Sequence, residues 1–575
     1  MAGISATVFP ARLRRWELQS LLFNLVLATL AFVVLYPLML IVLNSFQTAL
    51  PGEAVAYSLQ GWRAALTEPG MRAAVANTIG LSLTRELIAL PLAIVLAWLL
   101  ARTDLPGREW FGFMFWLSFF LPSLAVTLGW ILLLDSQYGL LNTAVARLFS
   151  LKQNPFDIYS WWGIVWTHLM SLSISVKVML LTPAFRNMDA SLEEAAQVCG
   201  AWPLRTLRRV IVPVMAPAIT VVALMSAIRA LEAFEIELIL GAPKRIDVYS
   251  TKIFRLLHQE PPSFAPATAL SVITLALMLP LIALQRWVTT RRRYTTVTGQ
   301  SKSQRLRLRR WKWPAFSLVL FVVLLLTVVP ALSLLMGTFM RLYGFFNLAQ
   351  PWTLRNWHDV LYDPIFLSSF GNTFLLGFGT AVLAVLVYSL VAYITVRTRF
   401  WGRAALDLLS WLPFTLPGII LSLGFLWLFL DVPLFRPFYG GLFLLVLASS
   451  LNSMTLGVQV IKSNMVQLGF DLEEAAWVTG GTRWYTFRRV VLPLLTPVLL
   501  LVGIMSFISA TRNISHIALL VTSANRPLAM LQLDFMADAR YEAAAVVGTI
   551  VVLLTVGVAL VARLFGLRVG LHHGG

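Results

Sequence analysis

The chain is 575 residues long, 58% hydrophobic and only 12% charged, about half the charged share of an ordinary water-soluble domain, so it reads as a polytopic membrane protein. A single cysteine, Cys199, excludes an internal disulfide and any Cys-x-x-Cys metal or redox site. The net charge of +19 would suggest nucleic acid in a soluble chain, so its distribution has to decide between a polyanionic partner and membrane topology.

Twelve apolar stretches are each long enough to cross about 30 Å of hydrocarbon as a helix. In chain order they are 21–43, 73–100, 110–134, 161–181, 210–227 and 265–284, then 314–336, 374–396, 408–430, 438–461, 490–510 and 543–562. The first follows Arg12, Arg14 and Arg15, as a signal peptide would, but it is too long for one and reads as a retained signal anchor. Segments between the spans fall into two alternate sets. The set holding both termini carries 28 basic and 10 acidic side chains, against 15 and 15 in the other. The positive-inside rule places the first set, with both termini, in the cytosol.

The two halves repeat each other. Asn77-Thr78 recurs as Asn372-Thr373, Arg102-Thr103 as Arg397-Thr398, Leu121-Pro122 as Leu416-Pro417 and Gly129 as Gly424, all at an offset of 295. Further on the offset is 280, and thirteen of twenty-seven positions in 191–217 are identical to 471–497. Six spans precede the second copy, so the repeats enter the membrane in the same orientation and are related by an axis along its normal. The expected fold is all-α, about twelve transmembrane helices in two parallel six-span repeats. Its parts are a cytoplasmic N-terminus (1–20), a first domain (21–284), a basic cytoplasmic linker (285–313), a second domain (314–562) and a cytoplasmic tail (563–575). Residues 286–313 hold ten basic side chains and no acidic one, which reads as a solvated linker rather than a nucleic-acid site.

The most informative segments are the inner loops between the fourth and fifth spans, Ser191-Leu-Glu-Glu194-Ala-Ala-Gln-Val-Cys-Gly200 and Asp471-Leu-Glu-Glu474-Ala-Ala-Trp-Val-Thr-Gly480. Ser191 and Asp471 are suited to cap a helix with Glu194 and Glu474 three residues on, the capping-box spacing, a cap being worth ~1 kcal/mol. Ala195, Ala196, Ala475 and Ala476 keep one face thin, and Gly200 and Gly480 let the chain turn. A connector needs only length and polarity, yet these identities are reproduced twice while their neighbours differ.

The pattern Glu-Ala-Ala-x3-Gly-x9-Val-x-hydrophobic-Pro is similar to the EAA loop of permease subunits of bacterial binding-protein-dependent ABC importers. Val210, Val490 and Val212 depart mildly from the family's usual Ile and Leu. The resemblance covers nearly the whole chain, as two permease domains in one polypeptide. It implies that Glu193, Glu194, Ala195, Ala196 and Gly200, with Glu473, Glu474, Ala475, Ala476 and Gly480, couple to separate ATPase subunits, expected as a homodimer. It also implies a periplasmic substrate-binding protein and a place in the bacterial inner membrane. No GxxxxGK[ST] loop is present, so ATP hydrolysis is expected in a separate subunit and the chain is not expected to be an enzyme or to hold a cofactor.

Among such permeases the chain looks like the iron(III) group, with thiamine and 2-aminoethylphosphonate permeases as near relatives and polyamine as a further alternative. The stretches carrying that likeness are Phe234-Glu-Ile-Glu237, Gly241-Ala-Pro243, Ser250-Thr-Lys-Ile253, Pro261-Pro262 and Tyr294-Thr-Thr-Val-Thr-Gly299. A secondary transporter would share the spans and the repeat but would not need a duplicated docking loop. A membrane-embedded enzyme would need convergent His, Asp or Ser residues that the sequence does not offer.

Charges within spans cost at least ~2.5 kcal/mol each and need a partner or a watery cavity. Arg85 and Glu86 fall mid-span where the second half has Thr380 and Ala381. Adjacent residues diverge by about 100° on a helix, so each is expected to pair elsewhere, between helices or along a pathway. Arg229, Glu232, Glu235 and Glu237 cluster at the outer end of the fifth span, with Arg512 equivalent to Glu232. They read as a solvated rim, or as carboxylates that guide a hard cation. The candidate pathway set is therefore Arg85, Glu86, Arg229, Glu232 and Arg512. Lys177 is expected to snorkel to the inner surface, and the six histidines, with no metal-ligand spacing, give no metal site.

Overall fold

A computed structural model of the chain describes residues 8–49, 56–189, 191–291, 306–469 and 471–564. The Tyr294–Gly299 stretch, most of the basic linker, the end of the tail and His572 and His573 lie outside the described residues.

Among the described residues, ten apolar helices are long enough to cross a bilayer. The first half supplies Ser20–Asn44, Met71–Arg102, Trp161–Arg186, Pro203–Leu231 and Phe264–Gln285; the second supplies Arg309–Thr338, Pro364–Arg397, Leu442–Gln467, Phe487–Arg512 and Tyr541–Arg563. The third span of each half, expected as one helix, is broken. Arg108–Phe120 meets Ser123–Leu134 at 98°, and Arg403–Thr415 meets Gly418–Asp431 at 111°. Each break sits on a repeated Leu-Pro. Proline removes an N–H and drives the residue before it out of the α region, and Leu121 and Leu416 are extended at ψ 129° and 124°. Counting each bent pair as one span restores twelve.

The halves are interlocked through these bent spans. The limb Ser123–Leu134 packs against the first span of the second half, and the limb Gly418–Asp431 against the first span of the first half. Both contacts require the repeated glycine. A methyl at Gly129 would collide with the Pro330 carbonyl oxygen, and one at Gly424 would come within 3.0 Å of Pro37 Cβ. The Tyr343 hydroxyl donates to Leu128 O at 2.7 Å, and Trp427 Nε1 donates to Thr268 Oγ1 at 3.1 Å, each across the two halves. Leu128, Ile131, Ile420 and Leu423 are buried in the same core, whereas Leu25, Leu87, Leu386 and Leu553 are exposed, as suits helices whose outer solvent is lipid.

The end of the linker is held rather than free. Leu306 pairs with Thr103 as an isolated parallel bridge, its N–H donating to Arg102 O at 2.9 Å. Leu308 N–H donates to Asp104 Oδ1 at 2.9 Å. Both leucines are buried, so this part of the expected solvated linker is docked on the first half's inner loop.

Candidate coupling and translocation site

Each inner loop folds into an eight-residue helix, Ser191–Val198 and Asp471–Val478. Its start differs from the expected capping box. Ser191 is itself the first helical residue, and its N–H donates to Asp189 Oδ1 at 2.9 Å. Hydrogen bonds from Ser191 hold the Asp189 carboxyl below its usual range. Its end is as the glycines foretell. Gly200 and Gly480 are left-handed at φ 75° and 88°, while Ala201 N–H returns to Ala196 O at 2.9 Å and Gly481 N–H to Ala476 O at 2.8 Å. That is the reverse bond of a Schellman ending, and a side chain in this conformation costs ~1 kcal/mol or more.

The two adjacent glutamates point opposite ways. Glu193 is 1% exposed and takes three donations from the Arg102 guanidinium: Nε to its two oxygens at 3.1 and 3.0 Å, and Nη2 to Oε2 at 2.7 Å. Arg102 Nη1 also donates to Met188 O at 3.1 Å. In the second copy Glu473 is buried against Arg397 at 3.2 Å, and Arg397 Nη2 donates to Met465 O and Leu468 O at 2.8 and 2.7 Å. Burial pushes the Glu473 carboxyl up, and Arg397 draws it back. Glu194, Ala195, Glu474 and Ala475 face outward and exposed, while Ala196 and Ala476 are half-buried. Leu192, Leu472, Val198 and Val478 join that outer face, the valines 89% and 88% exposed. An apolar face with one carboxylate, on a helix beyond the membrane spans, has the chemistry of a docking surface.

Arg102 and Arg397 are the functional side chains that sequence reading passed over. Their signal is present in the repeat, where an Arg-Thr pair recurs at the base of both second spans, but nothing in one dimension joins Arg102 to a glutamate 91 residues away or Arg397 to its own.

From each of these helices the chain turns into the fifth span through an i→i+5 helical turn, Leu207–Ile211 and Phe487–Val491, that carries the paired arginines. The candidate pathway residues then divide into two groups. Arg85 and Glu86 lie inside the first half and, as expected, pair apart. Arg85 Nη1 donates to His168 Nδ1 at 3.0 Å and its Nη2 to Ala230 O, while His168 Nε2 meets Glu237 Oε1 at 2.7 Å. Glu86 bonds Lys177 at 2.7 Å and accepts from the Ser226 hydroxyl. Lys177 therefore does not snorkel. It is buried, donating also to Ser173 O at 2.9 Å, because a carboxylate on the neighbouring helix satisfies its charge locally.

The second group lies where the halves meet, and it is not the solvated rim expected. Arg229 bonds Glu232 at 2.7 Å and stacks over the Phe414 ring at 4.3 Å. Arg512 is buried, stacks over Phe119 at 4.5 Å and donates to Phe119 O. Glu235 accepts from the Ser123 hydroxyl and, at 2.9 Å, from Ile514 N–H. Glu237 is buried. Among the described residues no three His, Cys, Asp or Glu side chains are placed to hold a metal ion.

Residues 89–294 and 389–570 each match the family described as binding-protein-dependent transport system inner membrane component. The chain belongs to that family, in two copies. As a member of it, the chain is a multi-pass inner-membrane permease of the ABC importer type. It is 27% identical to a probable ABC transporter permease of Sinorhizobium fredii, over 83% of this chain and 84% of that one. It is 26% identical to the ferric transport system permease of Actinobacillus pleuropneumoniae, over 76% of this chain and 63% of the relative, less than two thirds of that protein's length. It is 30% identical to a putative 2-aminoethylphosphonate transport system permease of Salmonella paratyphi A, over 49% of this chain and 94% of the relative.

Proposed function

We infer that this permease carries iron(III) inward, delivered by a periplasmic binding protein and driven by a pair of ATPase subunits seated on the helices Ser191–Val198 and Asp471–Val478. The observation that carries the coupling role is the doubled helix: an inner glutamate anchored on an arginine of the second span, and an outer face of glutamate, alanine and valine left open. A lever needs both a rigid attachment and a free grip, and each copy has the two on opposite sides. Iron as cargo is supported by the ferric relative. The iron is substrate, and both termini lie in the cytosol by the charge asymmetry of the loops.

In the double variant Glu194→Ala/Glu474→Ala, membrane insertion should survive and ATP-driven uptake should fall to background; undiminished uptake would defeat the coupling assignment. Growth of an uptake-deficient strain on limiting iron, with and without this permease and its partners, tests the cargo. The 2-aminoethylphosphonate relative supplies the second reading, and rescue on that phosphonate alone would replace iron with it.

A further inference from the structure

We propose that the crossed stacking of Arg229 on Phe414 and Arg512 on Phe119 is the closed outer gate of the translocation path. This rests on the permease reading above. Phe119 and Phe414 are equivalent in the repeat, at the offset of 295, and each lies at the break of its bent span. Each receives an arginine from the fifth span of the opposite half. The two halves are thus clasped twice, once by each sister.

Position makes the clasp a gate rather than a general brace. The fifth span begins just after the docking helix, and Arg229 lies about twenty residues, or about 30 Å along the rod, from Arg209. Phe119 lies about eleven residues, or about 16 Å, from Arg108 on the inner side, so the clasp is reached past the middle of the bilayer. Force on the docking helix is delivered along one rod to the clasp at its far end. The break exposes the last carbonyls of Arg108–Phe120 and the first N–H groups of the limb after it, an end that favours a cation and a start that favours an anion. Arg512 donates to the Phe119 carbonyl, and Glu235 takes the Ser123 hydroxyl beside the limb's start. Glu235 also accepts Ile514 N–H of the other half and lies within electrostatic reach of Arg512. Parting the halves breaks the Arg512 and Ile514 bonds together, so the gate opens as a unit. At the sister site Gly418 and Ser515 stand where Ser123 and Glu235 do, Gly418 lying against the Ser515 side chain, and the carboxylate that pairs with Arg229 is Glu232 of its own half. The strong clasp is therefore the Arg512–Phe119 one.

Ser509 occupies the repeat position of Arg229, one turn inward of Arg512, and is half-buried. A Ser509→Cys reporter in a Cys199→Thr chain, assembled with its ATPase in right-side-out membrane vesicles, can be challenged with a membrane-impermeant maleimide from outside. Labelling should be slow with Phe119 intact and about tenfold faster in Phe119→Leu and Arg512→Ala, since one desolvated cation–π contact shifts the closed population by that order. Phe119→Trp, which keeps a ring under the cation, should restore slow labelling, a result that mere loss of packing would not give. Equal rates across the four chains, or fast labelling with the clasp intact, would overturn the gate. ATP-driven uptake by the reporter chain, measured in the same vesicles, reports the permease reading separately.

Discussion

Glu193 and Glu194 are neighbours of identical chemistry, and the direction of one Cα–Cβ bond gives them opposite roles. Glu193 is a buried carboxylate paired with Arg102. Removing one partner of such a pair leaves the other uncompensated and costs about 3–5 kcal/mol. Glu193→Ala should therefore lower the melting temperature of the detergent-purified protein, whereas Glu194→Ala should leave it unchanged; equal melting of the two would undo the inside-outside assignment. The second copy is held less tightly. Burial outweighs Arg397 at Glu473 and raises its carboxyl, so the folded state favours the protonated form there, and the ionised pair adds least at neutral pH and above. Glu473→Gln, a neutral isostere, is predicted to cost under about 1 kcal/mol. Glu193→Gln gives up the paired Nε and Nη2 contacts and is predicted to cost more, in parallel thermal melts at neutral pH.

At the scale of the element, what could be read beforehand was what periodicity and repetition encode. The existence and the C-terminal ends of the two inner-loop helices are legible because alanine pair and glycine recur together. Their first turn differs from a capping box because Ser191 and Asp471 are themselves helical, and in the first copy Asp189, two positions upstream, accepts the Ser191 N–H. The breaks in the third spans are hidden for a different reason. Each stretch stays apolar enough across Leu121-Pro122 and Leu416-Pro417 to pass as one span, and proline alone is no signal here, since Pro91, Pro183 and Pro280 sit inside unbroken helices. The decision is tertiary: the second limb turns to bury its glycine face on the other half's first span. The glycines make the contact testable. Gly129→Ala drives a methyl into the Pro330 carbonyl, backbone that has to move, and should cost about 1–3 kcal/mol, as overpacking does. Gly424→Ala meets Pro37 Cβ at 3.0 Å and should cost less. Thermal aggregation in detergent would rank the pair, and the reverse order would contradict the packing described.

The molecule as a whole is two sisters with unequal interiors. The first half runs charges between its helices, Arg85 to His168 to Glu237 and Glu86 to Lys177. At the equivalent places the second half has Thr380, Ala381 and Gly457, the last packed against Tyr388. No pattern in the sequence could pair these charges, because they lie up to 91 residues apart on three helices. Fusing two unlike halves in one chain fixes their stoichiometry, but the interlocking of first spans asks for more than proximity. Each bent limb is buried by a helix from the other half, so the first half made alone exposes the Gly129 face, and the second exposes the Gly424 face and leaves Tyr343 and Trp427 without their acceptors Leu128 O and Thr268 Oγ1. Chains split after residue 300 should each be degraded or aggregate when expressed singly, and should co-purify and restore uptake when expressed together. Had the halves merely touched side by side, each would be stable by itself. A monodisperse first half, purified without the second and melting as high as the intact chain, would show that the interlocking contributes nothing to its stability.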